Sequence, residues 1–303
     1  MSPPDRRWVD TPPAAPQVST RLLVLGMVRE DGTVDAGALY AVAGSLGMTD
    51  QQVRLCLKRL VAEGRFTQQG RGRRALLRAT PDAVDAAALD VGYVRYAYEQ
   101  DRGRAPWDGR WHLVAFAVPE SARAARDALR DAIVRLGGAA VHSALYVAAN
   151  PIAPQVEQQA RRLGVLAGVT FLSSTDLRVG GHVEPVRLAG VLWPVPRIAA
   201  RYARLADLAA RHLTRLDGGS RPGATERITM VIELAARFAE AVEPDPLLPP
   251  ELLPRPWIGT RARALFARCW TRLQDADDGT AAPLRLFSRY SEVLRDGATA
   301  DPG

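Results

Sequence analysis

The sequence predicts an α+β protein with three folded parts: an N-terminal unit of helices and short strands, a central sheet domain and a mainly helical C-terminal domain. Its 303 residues suit two or three domains. Between 18 and 82, apolar residues first recur at helical spacing and then mark two short strands. Between 111 and 183 the patterns follow the order β-α-β-β-α-β, which is typical of a split βαβ, ferredoxin-like domain. From 184 to 296 the pattern is mainly helical.

The N-terminal part begins with an arm, 1–17, whose proline and polar residues predict disorder. A first helix is predicted from 18 to about 29. A short strand at 33–35 and a second helix at 36–46 follow, and Gly47 is a natural end for that helix.

A third helix, 50–63, follows directly. Thr49 precedes it and Gln52 comes three residues later, the spacing of a capping box. Its apolar residues predict one buried stripe, made of Val53, Cys56, Leu57 and Leu60. Two short strands, 66–69 and 73–78, surround the turn Gly70-Arg71-Gly72. Helix, strand, helix, capped helix and basic hairpin together predict a winged helix-turn-helix.

The net charge of +7 is concentrated in this unit. Residues 51–80 carry eight basic side chains and one acidic side chain, whereas the rest of the chain carries 32 of each. A basic patch of this density predicts a site for a polyanion, with nucleic acid as the first candidate. Two alternatives remain at this point: a solvated arginine-rich surface, and a trihelical unit that docks another protein.

The residues expected to contact double-stranded DNA lie on the third helix and at the hairpin tip, the part of the hairpin that carries Arg71, Arg73 and Arg74. Glutamine can pair with adenine and arginine with guanine in the major groove, so Gln51, Gln52 and Arg54 are predicted to read bases. The remaining cations are predicted to contact phosphates and set the register. They are Lys58, Arg59, Arg71, Arg73 and Arg74.

A helix and a charged linker, 83–110, lead into the central domain. Strands of this domain are predicted at 111–118, within 139–148 and at 169–173, and the chain is predicted to bend near His142-Ser143. Its helices are predicted at 120–136 and within 151–167. The inner side of the first of these helices is predicted to be Ala124, Leu129, Ile133 and Leu136. The C-terminal domain is predicted to have helices at 196–216, 225–242, 258–275 and 283–294, a proline-rich connector at 243–257 and a frayed tail at 297–303.

Three segments carry a family resemblance. They are GRGRRALLRATPDAV at 70–84, WDGRWHLVAFAVPESARAARDALRDAIVRLGG at 107–138 and LPPELLPRPWIGTRARALF at 248–266. In this order they resemble the PaaX family of bacterial transcriptional repressors, which control phenylacetic acid catabolism and related aromatic pathways. The resemblance covers about residues 18–295. It implies a homodimer that binds a palindromic operator and is released by an aryl-acyl-CoA thioester.

Such an effector needs an apolar slot for its acyl group and cations for its phosphates. The candidates for the slot are Trp193, Tyr202, Trp257 and Trp270, and those for the phosphates are Arg197, Arg201 and Arg204. The alternative is that these aromatic residues anchor the core of the helical domain and that the arginines form a solvated helix face.

The sequence gives little support to catalysis. The central domain's topology resembles small CRISPR-associated nuclease subunits, which need an acidic residue at the end of the first strand, where this chain has Ala117. The four histidines show no metal-ligand spacing, and no nucleophile or phosphate-loop motif occurs. We therefore predict a regulator without cofactor or metal. The rival hypothesis is an acyl-CoA-metabolising enzyme with a winged-helix docking module.

The expected compartment is the cytoplasm. No apolar run reaches the roughly 18–20 residues of a membrane helix, and no signal peptide is predicted at the N-terminus. The two cysteines, Cys56 and Cys269, lie far apart, which fits a reducing environment.

Overall fold

A computed structural model describes residues 18–81, 91–219, 221–277, 279, 282–288 and 294. The predicted arm at 1–17, the start of the predicted helix at 83 and the tail at 297–303 lie outside the described residues. Helices and two antiparallel sheets are both present, so the predicted α+β class is confirmed.

The N-terminal unit contains three helices and a three-stranded antiparallel sheet. The helices are α1 (Thr20–Gly26), α2 (Ala36–Ser45) and α3 (Asp50–Ala62), and the strands are β1 (Thr33–Asp35), β2 (Phe66–Gln69) and β3 (Leu76–Ala79). The sheet order is β1-β3-β2. The last strand begins three residues later than predicted, because Gly72–Arg74 forms a single 3-10 turn. Gly70 and Gly72 adopt positive φ values of 83° and 63°, which only glycine takes without strain, and they shape this turn.

The central sheet has four antiparallel strands in the order β5-β6-β4-β7. The strands are β4 (Trp111–Phe116), β5 (Ala139–His142), β6 (Leu145–Ala148) and β7 (Val169–Ser174). With α5 (Arg123–Arg135) and α6 (Ala153–Arg162), they have the β-α-β-β-α-β order predicted from the sequence; a further helix, α4 (Val91–Asp101), precedes them. Because side chains alternate across a strand, both faces of the sheet carry buried residues.

One sheet face packs against α5 and α6, through residues such as Val114, Leu129 and Ile133. Ala124, which was predicted to lie inside, is exposed. It stands five residues before Leu129 and so is out of phase with the buried positions of that helix. Leu136 is half-buried.

The C-terminal part contains α7 (Pro185–Leu192), α8 (Val195–Asp217), α9 (Ala224–Val242) and α10 (Ile258–Asp275). The proline-rich connector between α9 and α10 is irregular, with one 3-10 turn at Pro250–Leu252, as its proline density predicts. The long helices share one hydrophobic core with the N-terminal unit. This core includes Leu23, Leu39, Leu60, Tyr202, Phe238 and Trp270.

A short C-terminal segment, 282–288, lies against the N-terminal unit. The backbone N–H of Arg285 donates to the Val28 carbonyl at 2.9 Å. The N–H of Glu30 donates to the Pro283 carbonyl at 3.0 Å. A helix is predicted at 283–294, and the described helical residues within that range are 285–288 and 294. Phe287 of this segment also contacts Trp270 of α10, with ring centres 5.3 Å apart, so the segment joins the N-terminal unit to that helix.

Gly137 is expected to be the least replaceable of the positive-φ glycines. Its φ is 90°, and a Cβ built on it would lie 2.5 Å from the Pro246 carbonyl oxygen. Gly137→Ala is therefore expected to destabilise the protein by more than the roughly 1–2 kcal/mol of left-handed strain alone. Gly164→Ala is the matched control, because Gly164 has φ 69° but open space around it. Equal losses in urea unfolding would show that the close approach to Pro246 is unimportant.

Candidate nucleic-acid interface

The start of α3 is fixed by a complete capping box. Thr49 Oγ1 accepts a hydrogen bond from the Gln52 N–H at 3.2 Å, and Gln52 Oε1 accepts one from the Thr49 N–H at 2.7 Å. These bonds satisfy two of the donors that a helix start leaves open. The N-terminus of α3, with its partial positive charge, is thereby held in one place on the surface.

The buried side of α3 consists of Val53, Leu57 and Leu60. Cys56 was predicted to belong to this stripe, but it is only half-buried. Burial nevertheless raises the pKa of its thiol. Cys56 therefore lies at the edge of the packed side, about 60° around the helix from Val53 at about 100° per residue.

The opposite side of α3 faces solvent. Gln51, Leu55 and Lys58 lie at its centre, about 140–200° around the helix from Val53. Arg54 and Arg59 flank that line, one on each side, and all five side chains are exposed. A helix face of this kind is able to enter a major groove, because the core interactions that hold the helix are all on its other side.

Gln52 forms the cap that its spacing predicts, and the cap uses the side chain that was also predicted to read a base. Its side-chain carbonyl accepts hydrogen bonds from both the N–H and the hydroxyl of Thr49. Pairing with adenine uses both the carbonyl and the amide of a glutamine, so Gln52 would have to give up the cap in order to read a base. Gln51, one residue earlier and exposed, is therefore the better candidate for that contact.

The hairpin tip is oriented against the start of α3. Arg73 Nη2 lies 3.3 Å from Asp50 Oδ2, and its guanidinium carbon lies 5.6 Å from the centre of the Tyr40 ring. An exposed ion pair contributes little stability, so this contact serves mainly to position the tip. The sequence analysis missed Asp50 and Tyr40. The only signal for Asp50 was its place as an acidic residue at the start of a helix that is followed by a basic turn.

The two acids next to this surface are each paired with an arginine. Asp50 contacts Arg73, and Glu63 Oε2 lies 2.8 Å from Arg21 Nη1 at the far end of α3. Five cations extend into solvent between and beyond them. They are Arg54, Lys58, Arg59, Arg71 and Arg74. The structure thus brings the predicted DNA-contacting residues onto one helix face and one adjacent turn.

The predicted effector residues are not brought together in the same way. Trp193 packs beside the central sheet, stacks on Trp111 with ring centres 6.2 Å apart, and donates from Nε1 to the Gly137 carbonyl at 3.0 Å. Trp270 lies in the other core, and only 1% of its surface is exposed. The two tryptophans therefore belong to different clusters, as the core-anchor alternative expects.

The remaining effector candidates surround the connector or occupy α8. Tyr202 is fully buried and contacts Trp257, with ring centres 6.1 Å apart. Arg201 Nη1 donates to the Glu240 carbonyl at 2.9 Å, whereas Arg197 is exposed at the start of α8. Among the predicted slot residues that the structure describes, only Tyr202 and Trp257 contact each other through their rings.

Within the described ranges, no three histidine, cysteine or acidic side chains lie close enough together to hold a metal ion. Glu120, which follows the first strand of the central sheet, lies instead 2.8 Å from Arg126 Nη1. Ala117 is exposed at the end of that strand.

Comparison with known proteins identifies the two later parts of the chain. One family model, described as the PaaX protein central Cas2-like domain, matches residues 104–186. A second, described as the PaaX-like protein C-terminal domain, matches residues 193–282. Together they cover more than half of the chain. The chain belongs to the PaaX family. It is accordingly a PaaX-like transcriptional regulator.

The resemblance predicted from three sequence segments is thus confirmed, and two of those segments lie within the matched ranges of this PaaX family chain. A solved structure, "Uncharacterized protein Rv0674 from Mycobacterium tuberculosis", is 21% identical, with a TM-score of 0.51 over 86% of this chain and 99% of that one. That likeness concerns the fold alone. The search of curated proteins gave no match. Among the described helices, none combines the length and apolar character needed to cross a bilayer.

Proposed function

We propose that this PaaX family regulator binds double-stranded DNA through its N-terminal unit, which we interpret as a winged helix-turn-helix. The observation that carries the proposal is the cationic surface formed by α3 and the hairpin tip, whose cations lie within the segment 51–80 that holds the whole charge excess of the chain. A duplex carries a dense line of phosphates, and a surface of this kind gains affinity by releasing its counterions.

In this proposal α3 enters the major groove with its first turns toward the bases. Gln51 and Arg54 read base edges, since both are exposed near the start of the helix. The remaining cations of the surface contact phosphates and fix the register. They are Lys58, Arg59, Arg71, Arg73 and Arg74.

The regulatory part of the proposal follows the family. We infer a cytoplasmic homodimer that represses an aromatic catabolic operon by occupying a palindromic operator. Release by an aryl-acyl-CoA would follow if the effector favours a dimer whose two recognition helices no longer match the half-site spacing. The effector site stays a prediction, and the contact of Tyr202 with Trp257 makes that part of the connector the first place to look for it.

A mobility-shift titration tests the proposal. The full chain is titrated against the DNA upstream of its own gene and against a shuffled duplex of the same composition, over a series of salt concentrations. We expect binding to both at low salt and preference for the native DNA as salt rises, because phosphate contacts weaken first. Lack of binding to either duplex at low salt, or turnover of an acyl-CoA thioester by the purified chain, would contradict it.

Arg54→Ala should change sequence choice rather than general affinity. Losing one bidentate contact to guanine is expected to cost about 1–3 kcal/mol at a single position of the site, and to leave binding to shuffled DNA nearly unchanged. The measurement is competition between the preferred duplex and its single-position variants. An equal loss of affinity for all of these duplexes would show that Arg54 contacts phosphate instead.

A further inference from the structure

Leu55 is the large apolar side chain at the centre of the outward face of α3, and 49% of its surface is exposed. It lies about 160° around the helix from Val53, directly opposite the core. Gln51 and Lys58 are its neighbours along the same face, one turn before and one turn after. Leu55 therefore lies outside the hydrophobic core that holds α3 in the unit.

A DNA duplex offers few groups that a leucine side chain can pack against. A phosphate or a polar base edge offers nothing to leucine, whereas the C5-methyl group of thymine is the one apolar group that a base pair shows in the major groove. Arg54 and Gln51, the two candidate base readers, lie beside it on the helix. An apolar contact between two polar ones would read a thymine next to the bases that they read.

We propose that Leu55 is a specificity-determining residue that packs on the methyl group of a thymine in the preferred site. This inference rests on the proposed DNA binding by α3. It adds a feature of the ligand: each half-site contains a thymine whose methyl group, rather than its hydrogen-bonding edge, is recognised. Removing that methyl should weaken binding by about four-fold, the value of one buried methylene-sized group.

The experiment replaces thymine by deoxyuridine, which lacks only the methyl group. A duplex enriched by the full chain from a random pool is resynthesised with each thymine changed singly, and its affinity is measured for the wild type and for Leu55→Ala. For the wild type we expect one position per half-site to lose about four-fold. For Leu55→Ala we expect that position to become insensitive to the change.

Val61→Ala is the matched control, because Val61 is also apolar and exposed (37%) on α3 but lies near the end of the helix, away from the first turns. It should keep the sensitivity to deoxyuridine. Unchanged thermal unfolding of Leu55→Ala shows that the fold is intact. The inference is overturned if no thymine is sensitive in the wild type, or if Leu55→Ala stays as sensitive as the wild type. Failure of the pool to yield any enriched duplex would overturn the proposed reading of bases by α3 and this inference with it, whereas lack of binding to any duplex at low salt would overturn the proposed DNA binding itself.

Discussion

Replacing Arg71 and Arg74 together with alanine is expected to weaken binding to every DNA duplex, whatever its sequence. Both side chains are exposed at the hairpin tip, and the proposed function assigns them to phosphate contacts. The slope of log K against log salt is negative, and each lost phosphate contact should reduce its magnitude by about 0.9, so the double variant should have a slope shallower by about two units. Arg73 is left in place because its contact with Asp50 orients the tip. Fluorescence anisotropy across a salt series measures the effect.

The control is Arg261→Ala with Arg268→Ala, which removes the same charge from exposed positions of α10. This variant should bind DNA with the wild-type affinity and salt slope. If the two double variants lose affinity equally, overall charge rather than the hairpin tip would govern binding. That result would contradict the interface described here.

The second large effect is expected on stability, at a buried network that joins three helices to the connector. Arg263 on α10 is 4% exposed, and its Nε and Nη2 donate to the two carboxylate oxygens of Asp101 on α4 at 2.6 and 2.7 Å. Its Nη1 donates to the Tyr202 hydroxyl at 2.9 Å, and that hydroxyl donates to Asp245 Oδ2 at 2.5 Å. Arg263→Leu would leave both carboxylates without their cation. The expected loss is about 3–5 kcal/mol in urea unfolding.

Asp245→Asn is the companion variant, and it should cost much less. Burial raises the pKa of the Asp245 carboxyl in spite of the nearby Arg263, so the surroundings disfavour the charged form that asparagine would remove. The ordinary pKa of this carboxyl is 3.8, and its pKa in the folded state is higher. The free energy of unfolding of the wild type therefore falls as pH rises from 3.8 toward the raised pKa. Over that window the stability of Asp245→Asn should therefore fall less than that of the wild type.

A wild-type stability for Arg263→Leu would show that the network does not hold the connector.

The features that the sequence predicted well depend on near neighbours. The Thr49–Gln52 box, the glycines of the hairpin and the apolar spacing of α3 are local patterns, so they specify the candidate interface without knowledge of the rest of the fold. Gln52 was predicted both to form the cap and to read a base, and the structure shows the cap. The same three-residue spacing that predicts a cap also uses the side chain that was expected to read a base.

The features that the sequence did not predict depend on contacts between distant parts of the chain. Arg73 meets Asp50 across a gap of 23 residues, and Trp193 donates to the Gly137 carbonyl across 56. The core shared by the N-terminal unit and the C-terminal helices is of the same kind, since amphipathic periodicity shows that a helix face is buried but not which element covers it.

Selection from a random DNA pool tests whether α3 reads DNA sequence. The full chain is incubated with a randomised duplex library at a salt concentration where about half of the library is bound, and the bound fraction is sequenced over successive rounds. We expect enrichment of one inverted repeat, and loss of that enrichment in a variant carrying Gln51→Ala and Arg54→Ala. A bound fraction as random as the starting library would contradict the claim that α3 reads sequence.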